Sequence, residues 1–388
     1  MVFVLVVLAF RALVRRGAPW SAALCVPVLW VVFEFAGTRI SPHGSAGSLA
    51  YSQADVLPIA RLASVTGLSG ITFLLMAVPA AAAVAMAKST PRRPRVHVAL
   101  AAALLVATAV AFGTWRLARP VAGTAVTIGL AASDVPIAAF RTTDRGEALA
   151  GIQAHAEAVD ALAARGAAVV VLPEKIVGVT DAYRDDVERQ IAAAAARNRV
   201  TVVAGVNEIA APRRRNVALV IAPDGTIAGR YRKRHHIPGI EAGYADGDGP
   251  LIVPAATAPW GVAICKDLDF PSLGREYGAR GSGLLLVPSW DFVSDAWLHD
   301  RMAAMRGIES GFAMARAAKQ GLLTLRDDRG RLVASARSDA APMALLAAPV
   351  EVRHDPTVYA RYGDWFAWLC VLAAAGLVIK EAAWKRTA

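Results

Sequence analysis

Cysteine is scarce in this chain: three residues among 388, at positions 25, 265 and 370. Cys25 and Cys370 fall inside apolar runs and Cys265 in a mixed segment far from both, which excludes a disulfide framework. Basic residues outnumber acidic ones, 42 against 31, for a formal net charge of +11. They are not gathered on one face with aromatic residues between them, so a nucleic-acid surface is excluded as the meaning of the charge. The adjacent His235 and His236 would point apart on a strand, and no third ligand follows at metal-site spacing, so neither a metal centre nor another cofactor is expected. No internal repeat or low-complexity linker interrupts the chain, rich in alanine though it is.

Apolar residues are plentiful instead. They make up 56% of the chain, with a mean hydropathy of +0.43, against roughly 45–50% in globular proteins. Part of the chain must therefore face lipid. A crossing takes roughly 20 residues; the runs at 20–36, 67–87 and 96–115 approach or reach that, and a last, shorter run at 365–379 ends at Lys380, whose long side chain can snorkel to the head groups. The run at 2–14 is short and broken by Arg11; its charge follows the apolar part and no small-residue cleavage site comes next, which describes a short span better than a signal peptide. Lys and Arg flank these runs, as Arg15 and Arg16, Arg92, Arg93 and Arg95, and Lys380, Lys385 and Arg386. Cytoplasmic loops carry the excess of Lys and Arg, so all three clusters are expected in the cytoplasm and the segment between Trp115 and Trp365 outside it, together with loop 37–66. The expected organisation is a membrane domain of three to four helices over 1–118, a catalytic domain over 119–358, and a C-terminal span with a cytoplasmic tail over 359–388.

Between the spans the character changes. Apolar, β-rich stretches at 167–172, 200–204, 217–221, 262–264 and 284–287 alternate with helical, Ala- and charge-rich stretches at 146–165 and 182–197. The alternation predicts an α/β domain with helices covering sheets. Three points place reactive side chains just past apolar strands. Glu174 follows Val-Val-Val-Leu-Pro; Lys233 lies in Tyr-Arg-Lys-Arg-His-His-Ile-Pro-Gly-Ile-Glu, which ends at Glu241; and Cys265 closes the strand Gly-Val-Ala-Ile, followed by Lys266 and Asp267. Each alone has a bland counterpart: a capping carboxylate, a surface lysine, a buried thiol.

Taken in this order and context, the three resemble the Glu, Lys and Cys set of the carbon-nitrogen hydrolase (nitrilase) superfamily. Asn207 and Glu208, Asn216, the Asp224-Gly225 turn, His235, Pro238 and the run from Phe270 to Trp290 sit as that family's segments do. The resemblance implies a nitrilase-type α-β-β-α sandwich inserted between transmembrane helices. It also implies an acyl-thioester on Cys265, with Glu174 exchanging the proton, Lys233 steadying the oxyanion, and Glu241, Asp267 and Trp290 in support.

The membrane half resembles that of the apolipoprotein N-acyltransferase family. The resemblance is carried by Pro27-Val-Leu-Trp30 through Glu34, Tyr51-Ser-Gln53, Gly67-Leu-Ser-Gly70, Trp297, Arg306, Glu309 and Gly363-Asp364-Trp365. It implies transfer of an acyl chain from phospholipid to the N-terminal amine of a lipoprotein, at a bacterial inner membrane and on its outer side. Glu34 then has two meanings, a hydrogen bond between helices or a contact to substrate head groups. Two features depart from the family: Lys266 stands where an aromatic residue is usual, and 131–140 lacks the expected Gln and Trp. A membrane-tethered amidase and an idle membrane scaffold remain as alternatives, the second opposed by the intact triad.

Overall fold

The computed structural model describes residues 2–119, 123–134, 140–210 and 212–387, with side chains as far as residue 380. It divides into two compact units, Met1–Arg119 with Thr357–Ala388, and Pro120–Pro356.

The first unit is helical: α1 (Val2–Arg15), α2 (Pro19–Ile40), α3 (Leu57–Ala60), α4 (Ala63–Thr66), α5 (Leu68–Met86) and α6 (Arg92–Ala118), to which the chain returns with α11 (Val358–Tyr362) and α12 (Trp365–Thr387). Three of these, α2, α5 and α6, are long and apolar enough to cross a membrane, at 22, 19 and 27 residues. At 14 residues α1 is too short by the same measure. Helix α2 outruns the expected end at 36, with Thr38 Oγ1 bonding back to the Glu34 carbonyl at 3.0 Å and Arg39 paired with Asp364 at 2.9 Å. Helix α6 begins inside the basic segment expected to be loop. Pro91 caps it and Pro94 sits in its first turn, where a missing N–H costs nothing. Segment 37–66 is likewise not plain loop, since it holds a 3-10 turn at Leu49–Gln53 besides α3 and α4. Close packing explains Gly113, because a Cβ there would strike the Pro58 carbonyl of α3.

The second unit runs β1 (Thr124–Ala132), α7 (Arg145–Ala163), β2 (Val169–Val171), β3 (Gly178–Val179), α8 (Arg184–Asn198), β4 (Thr201–Glu208), β5 (Arg215–Ile221) and β6 (Ile227–Arg232). It continues with β7 (Leu251–Val253), β8 (Trp260–Val262), α9 (Pro271–Ala279), β9 (Leu284–Trp290), α10 (Ala296–Ser310), β10 (Ala313–Lys319), β11 (Leu322–Arg326), β12 (Leu332–Arg337) and β13 (Ala344–Val352). A seven-stranded sheet has the order β13-β1-β2-β4-β5-β6, with β3 beside β4, and a six-stranded sheet has β12-β11-β10-β9-β8-β7. Strands β1, β2 and β4 are mutually parallel, as are β8, β9 and β10.

Side-chain alternation along these strands builds four layers. Val169 and Val171 face a core shared with Leu284, Leu286 and Ala315 of the other sheet, while Val170 between them faces Ile152 and Val159 of α7 and Ile191 of α8. Leu285 and Val287 turn instead towards Leu273 and Tyr277 of α9 and Ala303 of α10. Strands buried on both faces read as unbroken apolar runs, which is why Val-Val-Val and Leu-Leu-Leu-Val look as they do. The result is the helix–sheet–sheet–helix sandwich expected from the resemblance.

Candidate active site

Parallel strands deliver residues at their carboxyl ends. Glu174 stands three residues past β2, Lys233 directly past β6, Cys265 three past β8, and Trp290 closes β9. The expectation that Cys265 lies on a strand is corrected: it opens a 3-10 turn, Cys265–Asp269, with φ of +44°. Lys175, Phe292, Val293 and Gln320, each just past a strand end, also hold positive φ, at 52°, 53°, 66° and 48°. Left-handed backbone costs a β-carbon residue of order 1–3 kcal/mol and gathers at functional sites. Gly205 of β4 makes room for the Glu174 backbone: a Cβ there would meet the Glu174 Cα at 2.7 Å.

Three charged groups meet without water between them. Lys233 Nζ donates to Glu174 Oε1 and to Glu241 Oε2, both at 2.9 Å, and all three side chains are buried. Asn216 Nδ2 bridges the same two carboxylates at 2.6 and 2.9 Å, and Lys175 Nζ donates to Glu241 Oε1 at 2.5 Å. Burial alone would raise the Glu241 carboxyl, but Lys233, His236 and Lys175 outweigh it and hold the group far below the usual carboxylate range. Burial alone would lower Lys233, yet Glu174 and Glu241 push it well above an ordinary lysine. Glu241 therefore stays a carboxylate and Lys233 an ammonium, so neither can exchange protons near neutrality.

Some valences of these groups stay open. Of three ammonium N–H groups on Lys233, two are spent on carboxylates, and the third has no protein acceptor among the described residues. Glu174 Oε1 accepts from Lys233 and Asn216, whereas Oε2 is buried without a hydrogen-bond partner. Cys265 Sγ donates to the Trp290 carbonyl at 3.3 Å. Burial pushes the thiol well above its ordinary value; the Glu174 charge adds to this and Lys233 opposes it. The resting sulfur is thus a protonated thiol.

Asp267 ties the lysine loop to the cysteine turn. Its Oδ1 accepts from the backbone N–H of Arg234 and of His235 at 3.2 and 2.9 Å, and from His235 Nδ1 at 2.9 Å. Its Oδ2 accepts from Tyr231 Oη at 2.7 Å and from the Ile264 N–H at 3.1 Å. His235, stacked on Phe270 at 3.8 Å, and His236, whose Nε2 lies 3.2 Å from the Ala245 carbonyl, sit in the turn past β6 rather than on a strand. Lys266 follows Cys265 on the same turn, and its buried ammonium bonds Asp269 at 2.7 Å.

Glu34 belongs to the helical unit, where Trp30 Nε1, Ser48 Oγ, the Leu49 N–H and Thr72 Oγ1 all donate to it, at 3.0, 2.7, 3.1 and 2.9 Å. These bonds fasten the turn at 48–49 and α5 to α2. Sequence reasoning missed Lys175, and it missed the buried pair of Arg316 and Asp291, to which His299 adds a bond at 3.0 Å. An arginine inside the apolar strand Ala-Met-Ala-Arg-Ala-Ala-Lys was the available signal.

The model of the carbon-nitrogen hydrolase family matches residues 135–338, more than half of the chain, and the chain belongs to that family. Residues 1–83 match the apolipoprotein N-acyltransferase N-terminal domain, and together with the three apolar helices this makes the chain a membrane protein. Among named proteins, it is 27% identical to an apolipoprotein N-acyltransferase of Geobacter metallireducens, over 96% of this chain and 77% of that one. It is 26% identical to an apolipoprotein N-acyltransferase of Bradyrhizobium diazoefficiens, over 87% and 69%. Among solved structures, a mutant of the amidase from Nesterenkonia sp. AN1 superimposes with a TM-score of 0.51 at 18% identity, covering 61% of this chain and 96% of that one. That likeness speaks to the fold alone.

Proposed function

We propose that this chain is a membrane-embedded N-acyltransferase that moves an acyl chain from a phospholipid, through a thioester on Cys265, to the free N-terminal amine of a lipoprotein. One observation carries the reading: a carboxylate oxygen and an ammonium N–H left open, together with a buried thiol, occur in one chain with membrane helices that match the apolipoprotein N-acyltransferase N-terminal domain. In this reading Glu174 Oε2 takes the thiol proton and sulfur attacks the ester carbonyl. The third N–H of Lys233 meets the oxyanion, a contact worth roughly 3–4 kcal/mol in other acyl transfers. Collapse forms the thioester, breaks the ester C–O bond, and the departing lysolipid alkoxide takes the proton back from Glu174. The amine then attacks the thioester; its proton passes by way of Glu174 to the released sulfur as the C–S bond breaks. Glu241, Asn216 and Lys175 hold Lys233 and Glu174 in place, and Asp267 fastens the loop of Lys233 to the turn of Cys265.

The proposed setting is the bacterial inner membrane, with Cys265 on its outer side. A direct test incubates the full-length protein in detergent with a diacyl phospholipid and a synthetic diacylated lipopeptide bearing a free N-terminus, followed by mass spectrometry of the peptide. An added acyl group in amide linkage, absent with Cys265→Ala, is the expected outcome. Release of free fatty acid alone, or cleavage of a small soluble amide with no transfer, would reject transfer in favour of a tethered hydrolase.

A further inference from the structure

One buried cation beside the site has no part in the chemistry just described. Lys319 ends β10, and its residue is only 8% exposed. Its Nζ donates to the Lys175 carbonyl at 3.0 Å, its one hydrogen bond among the described residues, and no described carboxylate pairs with it. It lies over the ring of Trp290, 4.2 Å from the centroid, and 5.5 Å from that of Phe140. The carbonyl of the same Trp290 receives the Cys265 thiol. Each neighbouring cation has an acid: Lys233 has two, Lys175 has Glu241, and Arg316 has Asp291. A buried charge without a counter-ion is costly, and its strain shows in an ammonium lowered to about 8, by burial first. Two of its three N–H groups are unspent among the described residues. Glu174 and Asp134 oppose that lowering from beyond ion-pair distance and do not cancel it, which leaves the ammonium open to an anion brought by the substrate.

We propose that Lys319 is a specificity-determining residue that binds the phosphodiester of the acyl donor. This rests on the phospholipid reading above. In a glycerophospholipid the phosphate sits only a few bonds from the ester carbonyls, so an ammonium beside the nucleophile's turn is placed to meet it while the ester reaches Cys265. Lys233, with two of its N–H groups spent on carboxylates, cannot serve both the phosphate and the oxyanion. The aromatic faces of Trp290 and Phe140 keep the ammonium dry and compensate it in part between turnovers. A charge-assisted hydrogen bond of this kind is worth about tenfold or more in donor discrimination.

The test uses the full-length protein in mixed micelles with either phosphatidylglycerol or diacylglycerol of the same chains, reading thioester on Cys265 by acid-quenched intact mass. Wild type should prefer the phospholipid. Lys319→Gln should cut that preference about tenfold, largely through KM, and Lys319→Arg should restore most of it. An unchanged preference in Lys319→Gln would overturn the proposal, as would an equal fall with both donors, the mark of a merely structural lysine. A second arm follows alkylation of Cys265 by chloroacetamide in the presence of glycerophosphoglycerol. Protection in wild type and not in Lys319→Gln supports phosphate binding even if no lipid forms a thioester, an outcome that would count against the proposed function alone. Equal or absent protection in both proteins counts against Lys319.

Discussion

At the scale of single residues, the site leaves Oε2 of Glu174 and one N–H of Lys233 without partners among the described residues, and rests the Cys265 thiol on the Trp290 carbonyl. Groups acting as a unit are not additive. Glu174→Gln and Cys265→Ser should each lower acyl transfer by about a hundredfold or more, and the double variant should be scarcely worse than either, measured as kcat/KM. Lys233→Met is a poorer probe, since it leaves Glu174 buried without its cation and Glu241 with Lys175 alone, a loss of about 3–5 kcal/mol that would confound the kinetics. Lys266→Met separates proximity from influence. Its ammonium answers Asp269, so the variant should melt lower while the pH profile of Cys265 alkylation stays in place; a shifted profile would restore Lys266 as a neighbour of the thiolate. Glu174 and Cys265 were legible as candidates because each follows an apolar run that forms a buried strand, whereas Lys233 and Glu241 follow the mostly exposed β6 and were legible only through the family resemblance. Lys319 and Lys175 were not, because what sets them apart is the lack of an acid, or an acid 66 residues away, and neither leaves a local pattern.

At the scale of elements, Asp267 is the fastening between the turn after β6 and the turn after β8, since it accepts from both. Asp267→Asn keeps the shape but turns a donor towards donors. It should lower stability by about 1–3 kcal/mol and lower activity more than His235→Ala, which removes one of the bonds; equal activity in both variants would deny Asp267 this role. Helix α7 carries a pH liability in His155, which burial holds down to about 4 while its Nδ1 lies 2.8 Å from the Gly151 carbonyl. The unfolded histidine titrates near 6.5. Above that pH both states are neutral and nothing is lost; between 6.5 and 4 the unfolded chain binds the proton and the folded one refuses it. Stability therefore declines as the pH falls through this window, by about 2 kcal/mol at pH 5. His155→Leu should lose correspondingly less on denaturant titration between pH 7 and 5, and an equal loss would contradict the assignment. The strand and helix alternation of this unit was visible in sequence, but the cysteine turn was not: nothing local marks that Cys265 takes positive φ, because the strain is held by packing from β9 and by Asp267.

At the scale of the whole molecule, the account joins membrane helices to an acyl-transferring site on one chain. The charge asymmetry of the loops predicts that reporter fusions at 88–95 are cytoplasmic and that fusions near 265 are not; a cytoplasmic signal near 265 would remove the lipoprotein acceptor from reach. The central claim is that Cys265 stores an acyl group taken from a phospholipid. It is tested most directly by giving the purified full-length protein a phospholipid labelled in its acyl chain, with no amine present, and recording the intact mass after an acid quench. The account predicts one acyl group on Cys265, released by hydroxylamine, absent in Glu174→Gln, and transferred as an amide when a diacylated lipopeptide is added. A protein that stays unlabelled with phospholipid while turning over a soluble amide at the same cysteine would contradict it.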